Sequence, residues 1–451
     1  MSRSRLARLQ AREEQCFVRG HPRSRELAAR ASEALLAGVP MHWMTKWPGG
    51  FPVFVAEARG ARFTDVDGIE YVDLCLGDTG AMSGHSPEPT RRAIEAQLSR
   101  GITLMLPTED ALWCAAELRR RFGLPFWQFA LTATDANRFS IRLARHVTGR
   151  RKVLVFDWCY HGTVDEAFAT VVGGEVEARR GNLGPPVDPA ETTRVVEFND
   201  VTGLERELAR GDVAVVLAEP ALTNIGIVHP EPGFHEALRE LTRGFGTLLA
   251  IDETHTICAG PGGYTAAHGL DPDMLTIGKP IAGGIPAAAY GFSAELADRV
   301  ARSIELEDVD VGGVGGTLAG NALSLAAMRA TLGEVLTEEA FERMIALAER
   351  FTAGVEQGIE EAGAPWHVTR LGCRAEYLFS AVRPRNGTEA HAAGDPELER
   401  YMHLHALNRG VLLTPFHNMA LMSPATTAED VDRHTQVFRE ALVELAEEGI
   451  L

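Results

Sequence analysis

The chain has 451 residues, of which 45% are apolar and 24% charged. These are ordinary values for a globular protein, and they exclude disordered, collagen-like and disulfide-scaffold classes; the length suits one large domain with a smaller one attached, or about three average domains. Lysine and arginine number 44 against 62 aspartates and glutamates, a net charge of −18. So acidic a surface repels phosphate backbones and anionic lipid, so neither nucleic acid nor membrane is expected as a partner, though a small anion in a locally basic pocket stays open.

In chain order, residues 2–38 read as helical, with Leu6, Leu9, Leu27 and Leu35 set among charges and alanines. The Arg-rich start could resemble a transit peptide, but it lacks an apolar stretch and Glu13 and Glu14 follow, so a surface helix is expected. Trp47-Pro48-Gly49-Gly50 ends the pattern. Phe54 to Leu76 then alternates like strands around Asp65-Val66-Asp67-Gly68, where Asp-Gly supplies the positive φ of a tight turn. From about residue 108 helices alternate with short apolar runs at 153–156, 213–217 and 248–251. Such continuous runs indicate parallel strands buried on both faces, hence an α/β architecture. A glycine-dense stretch, Gly312 to Gly316, precedes a helical segment expected over 319–360, and 361–451 mixes short strands with helices.

Six scattered cysteines show neither a CxxC pair nor zinc-finger spacing, which suits reduced, mostly buried thiols and a cytoplasmic location. No apolar run approaches the roughly 20 residues of a membrane span. Three familiar signatures fail. A GxGxxG after a strand is absent; Asp273 and Pro280 break a Walker A reading around Gly278-Lys279; and His235-Glu236 continues to Arg239 instead of completing HExxH. No metal site is expected.

Four local features remain. Leu248 to Ile251 is an apolar run that ends in Asp252-Glu253, an acid where parallel sheets bind ligands. Such an acid can pair with a protonated pyridine nitrogen, or be a surface residue of a turn. Lys279 lies 27 residues on, in Gly278-Lys279-Pro280 followed by Gly283-Gly284, an apolar setting that would favour a nucleophilic amine. Thr132-Ala133-Thr134-Asp135-Ala136-Asn137 opens a helix and could hold a phosphate, or simply be capped by Thr134 or Asp135. Cys159-Tyr160-His161-Gly162 follows a strand and offers an aromatic to stack on a planar ring, although Tyr and His are common in loops.

In order and spacing these features resemble the class III aminotransferases of fold type I, and within them the glutamate-1-semialdehyde 2,1-aminomutase branch. Gly84-His85, Ile141 to Arg145 with Thr148-Gly149-Arg150, Glu219-Pro220 with Asn224-Ile225-Gly226, and Gly316-Thr317-Leu318 with Gly320-Asn321 match as well. The likeness is close over residues 50–330 and looser beyond. It implies a large cofactor-binding domain at 106–330, with a mostly parallel sheet between helices. It also implies a smaller α+β domain made of an N-terminal segment (1–105, helix and small sheet) and a C-terminal one (331–451). The implied cofactor is pyridoxal 5'-phosphate. Lys279 resembles its Schiff-base lysine, Asp252 the partner of its ring nitrogen and Tyr160 the stacking aromatic, with His161 beside it. Ala133 and Thr134 resemble the phosphate cradle, and Asn224, with Glu219 nearby, falls where the family approaches the phenolic oxygen. Thr317 falls where a neighbouring subunit reaches the phosphate, which implies a homodimer with shared sites.

Departures from the family pattern matter too. Ala133 stands where glycine is usual, so it needs an allowed φ. His255 follows the strand acid in Asp252-Glu253-Thr254-His255; it is read first as a satisfied loop residue, with a place in the site as the alternative. Relatives acting on β-amino acids carry arginines in the stretches that here read Met41 to Trp47 and Thr414 to Met419, and neither holds one. His42, Lys46, Arg374 and His417 are the substitutes for a carboxylate clamp, and Trp43 a core or pocket-wall residue. The first functional expectation is transfer of an amino group from an amine or amino acid to a separate carbonyl acceptor, with Lys279 as general base. The alternatives are an ammonia-lyase acting on a β-substituted amine such as an amino phosphonate, a 2,1-aminomutase, and a non-catalytic cofactor-binding protein.

Overall fold

The computed structural model describes residues 3–303 and 313–451, so Gly312 of the glycine-dense stretch lies outside the described residues. The chain divides into two compact units: one of residues 1–87, 339–383 and 393–451, the other of 88–338 and 384–392.

The second unit is built on a seven-stranded sheet in the order Phe126–Ala130, Ala288–Phe292, Met274–Ile277, Leu248–Asp252, Val213–Ala218, Lys152–Phe156, Thr193–Val196. The five strands from Met274–Ile277 to Thr193–Val196 run parallel, while Ala288–Phe292 is antiparallel to both its neighbours. Every residue of Val213–Ala218 and Leu248–Asp252 is buried, which is why these segments read as unbroken apolar runs. Helix Ala133–Thr148 packs its Ala136, Ile141, Leu143 and Ala144 into this core. The sequence reading passed over the hairpin Ala169–Val172/Glu175–Ala178, although its Gly173-Gly174 turn carries the usual signal, both glycines having positive φ.

In the first unit, Val55–Arg59, Arg62–Asp65 and Glu70–Asp73 form an antiparallel meander. Val411–Leu412 joins it in parallel, so distant ends of the chain share one sheet. A second sheet is made of His367–Leu371, Arg374–Leu378 and Met419–Leu421. The N-terminal region is not one surface helix: Arg3–Gly20 ends before Pro22–Ala31, and it buries Leu6, Leu9, Glu13 and Phe17. Phe17 packs with Phe63, Tyr71, Leu404 and Leu407. The helix expected over 319–360 is also interrupted: Ala322–Ala330 runs into a π-turn at Thr331–Val335, and Glu338–Ala362 begins afresh. No helix among the described residues is long and apolar enough to cross a membrane.

Candidate active site

Asp252 ends its strand and is almost fully buried. Its Oδ2 accepts hydrogen bonds from Asn137 Nδ2 at 2.8 Å and His161 Nδ1 at 2.9 Å, and Oδ1 accepts from the Thr254 amide at 3.0 Å. Burial alone would raise its pKa, but the hydrogen bonds and charge of His161, with Thr254 and Asn137, outweigh it and hold the carboxyl at about 2. On His161 burial acts downward, and the Cys159 sulfur and the Asp252 carboxylate lift the pKa well above the usual histidine value. The outcome is a buried anion beside a protonated imidazole. Asn137 cannot turn its amide over, because Thr276 Oγ1 donates to its Oδ1 at 2.7 Å while Nδ2 also reaches the His161 carbonyl at 3.2 Å. Both Asn137 and Thr276 are fully buried.

Lys279 follows the neighbouring strand, half-buried, and is held at φ +51°. A left-handed non-glycine residue costs on the order of 1 kcal/mol, and such strain concentrates at functional sites. Lys279 Nζ lies within hydrogen-bond reach of His255 Nε2. His255 therefore takes the second of its two sequence readings, in contact with the lysine and not as a loop residue apart from it. Gly278 is tightly packed: a Cβ there would meet Ala133 Cβ at 3.1 Å and Ala133 N at 3.2 Å.

That close approach brings the lysine turn to the first turn of helix Ala133–Thr148. The cap of this helix is neither of the residues expected. Thr132 Oγ1 accepts from the Asp135 amide at 3.1 Å and donates to Asp135 Oδ2 at 2.9 Å, whereas Thr134 Oγ1 accepts from the Thr163 amide at 3.0 Å. Ala133 sits inside the helix and is absent from the positive-φ residues, so its methyl is accommodated. Gly162, at φ +76°, lies so close that a Cβ would meet Thr134 Oγ1 at 2.1 Å.

Tyr160, half-buried, packs edge-on against Phe168 with ring centroids 6.2 Å apart, and its amide donates to Glu219 Oε1 at 3.1 Å. Glu219 is buried, which pushes its pKa up, and its Oε2 accepts from the Thr223 amide at 3.0 Å and hydroxyl at 2.5 Å. Asn224 is half-buried in the same loop. Thr317 is exposed in a turn and is not part of this network of contacts.

The remaining expected residues belong to the first unit. Trp43 packs edge-on against Phe416 with centroids 5.7 Å apart, and Lys46 Nζ lies 5.2 Å from that ring's centroid. His42 is exposed. Arg374 is fully buried, 3.6 Å from Glu376 Oε2, and His417 Nδ1 lies 3.3 Å from Glu376 Oε1. A cavity of about 780 Å³ in the second unit is lined by arginines that include Arg138, Arg142 and Arg151; none of the residues around Lys279 lines it. Among the described residues no cluster of His, Cys, Asp or Glu is placed to hold a metal ion.

The sheet, the strand-end acid and the strained lysine define a fold type I pyridoxal 5'-phosphate enzyme. Residues 44–442 match the family model for aminotransferase class-III, and the chain belongs to that family. The match runs past residue 330 and takes in most of the C-terminal segment. A glutamate-1-semialdehyde 2,1-aminomutase from Desulfitobacterium hafniense is 33% identical over 436 residues, 94% of this chain and 98% of that protein. The crystal structure of a glutamate-1-semialdehyde-aminomutase from Pseudomonas aeruginosa PAO1 is 53% identical, covers 99% of both chains and superposes with a TM-score of 0.97. A variant of that protein has been solved in complex with PMP. An omega-transaminase from Sphaerobacter thermophilus is 28% identical over 94% of this chain and 98% of its own, with a TM-score of 0.85.

The cofactor is thus pyridoxal 5'-phosphate, and the residues present fit it. A carboxylate kept ionised in a buried place is what a protonated ring nitrogen requires. The first turn of helix Ala133–Thr148 carries the amides that suit a phosphate, beside Gly162, whose missing side chain lets its loop pack directly against Thr134. The sequence reading missed Asn137 and Thr276 as supports of Asp252; both fell within motifs singled out for other residues.

Proposed function

We propose that this enzyme moves an amino group between neighbouring carbons of one small amino aldehyde, with glutamate 1-semialdehyde the first substrate to test. The observation that carries this reading is a shared name: the Desulfitobacterium hafniense relative, matched over 94% of the chain, and the solved structure at 53% identity are both named aminomutases. It takes precedence over the transfer to a separate acceptor that the sequence first suggested.

Bound, the cofactor supplies an electron sink for the carbon next to the amino nitrogen. Lys279 holds it, and its amine, once released, takes a proton from that carbon and returns one to the adjoining carbon. Asp252 remains ionised throughout and keeps its negative charge at the ring nitrogen. Tyr160 stacks on the ring, Ala133 and Thr134 bind the phosphate, and Asn224 and Glu219 serve the phenolic side. The working form in this proposal is a homodimer, with Thr317 of the partner subunit completing each phosphate site.

The test is to incubate purified protein with glutamate 1-semialdehyde and no carbonyl acceptor. Conversion to the isomer carrying the amino group on carbon 1, without ammonia, is expected. Turnover that waits for an added acceptor would make the enzyme a transaminase, and ammonia release a lyase. Lys279→Ala should abolish turnover in any of these cases, and normal activity in that variant would remove Lys279 from its role.

A further inference from the structure

The contact between His255 and Lys279 is built by the sheet. Leu248–Asp252 and Met274–Ile277 pair in parallel with Asp252 opposite Thr276. His255 and Lys279 each lie three residues beyond those partners, one on each of the turns that leave the two paired strands. The Glu253 amide extends the ladder by donating to the Thr276 carbonyl at 2.8 Å.

The turn that carries His255 is fastened. Glu253, fully buried, accepts from Thr256 Oγ1 at 2.5 Å and from the amides of Tyr264 at 3.0 Å and Thr265 at 2.5 Å. Gly263, at φ +63°, makes room for it, since a Cβ there would meet Glu253 Oε2 at 2.4 Å. The Ile257 amide donates to the Glu253 carbonyl at 2.9 Å, closing the turn around His255. His255 is 8% exposed, so it approaches Lys279 from a low-dielectric side. On the other side of the contact, the left-handed backbone of Lys279 and the ring of Pro280 fix where the lysine stem starts. A strained lysine and a buried histidine, each held by its own turn, are preorganised toward one another.

We propose that His255 is the proton partner of Lys279. A lysine attacks a carbonyl only as the free amine, so its ammonium form must first lose a proton. In the proposed step an Nζ–H bond of the Lys279 ammonium breaks and an Nε2–H bond forms on neutral His255. The positive charge passes to the imidazole, the lone pair stays on Nζ, and the reverse transfer restores the starting state. No other reactant is needed. His255 thus acts through Lys279 as a positioning and proton-holding residue.

The experiment follows how fast Lys279 attaches to its cofactor, which needs no substrate and holds wherever the amino group finally goes. The full chain is freed of cofactor, re-supplied with pyridoxal 5'-phosphate, and the visible absorption of the attached form is timed for wild type, His255→Ala and His255→Gln. Both variants are expected to attach at least about a hundredfold more slowly, the lower end of the range for positioned acid–base groups, and added imidazole is expected to restore the alanine variant in a saturable way. Wild-type rates in the variants would overturn the proposal. So would full recovery in His255→Gln, whose amide can hold a hydrogen bond but cannot carry the proton, and so would slow attachment that imidazole leaves unchanged. If the alanine variant does not fold, the glutamine variant alone decides, with slow attachment expected and the wild-type rate the refuting result.

Discussion

Asp252 keeps its charge in a place where burial works against it, because three donors converge on its two oxygens and one of them, His161, is itself cationic. The consequence for stability has a definite sign. The folded pKa is about 2 against an ordinary 3.8, so the contribution of this carboxyl is complete above pH 3.8 and is lost as pH falls through 2. Its size is about 2 kcal/mol. His161 has the opposite sign: its folded pKa is raised, so its contribution is complete below the ordinary value of 6.5 and fades as pH rises through the folded value. Between about pH 4 and 6.5 both contributions are whole. Asp252→Asn in the cofactor-free chain should therefore lose about 2 kcal/mol or more at pH 6. It should also flatten the fall in stability between pH 4 and 2. Urea unfolding at a series of pH values measures both, and an unchanged acid limb would show that the carboxylate is not held as described.

At the scale of elements, the loop 161–163 meets the start of helix Ala133–Thr148 so closely that only glycine fits at 162. Two glycines separate the effects of backbone and of space. Gly173, at φ +61° in a hairpin turn, has nothing within 4 Å of where a Cβ would be, whereas Gly162 at φ +76° has Thr134 in that place. Gly173→Ala should cost about 1–2 kcal/mol from the left-handed backbone alone. Gly162→Ala should cost clearly more, because it also breaks the Thr134–Thr163 hydrogen bond, and it alone should weaken cofactor binding. Unfolding curves with a cofactor titration give both numbers, and equal effects at the two positions would deny the close approach. Helix Pro396–Leu407 offers a prediction of its own. His403 and His405 are buried there with folded pKa values of about 4, and His434 on helix Ala428–Glu447 has one of about 3, burial being the main cause in each. Depressed histidines stay neutral in the fold while the unfolded chain takes up protons. Stability should thus be complete above 6.5 and fall from there, on the order of 2 kcal/mol per histidine by pH 5. His434→Phe, which keeps the ring stacked near Phe351 and Phe438, should shallow that slope.

Across the whole molecule, what the sequence displayed depended on whether a physical constraint was local. The strand runs 153–156, 213–217 and 248–251 were legible because burial on both faces removes polar residues from consecutive positions. Lys279 and Asp252 were legible because their neighbours are unusual for charged residues. Asn137 and Thr276 were not, since their value lies in a hydrogen bond across 139 positions of sequence. His255 was left between two readings for the same reason: its contact with Lys279 joins two turns 24 positions apart in sequence. Thr317 is the reverse case, an exposed residue whose proposed purpose lies in another copy of the chain. Mixing two damaged subunits tests that purpose. In a shared-site homodimer, Lys279→Ala lacks the lysine of its own site but still lends Thr317 to its neighbour. Thr317→Asp keeps its lysine, but places a carboxylate against the neighbour's phosphate. Each alone should be nearly inactive. Unfolded together and refolded in equal amounts, they should form heterodimers in half of the dimers, each with one intact site, so activity should return to about a quarter of wild type. If Thr317 served its own subunit, or if the chain worked as a monomer, every site would keep a defect and mixing would recover nothing.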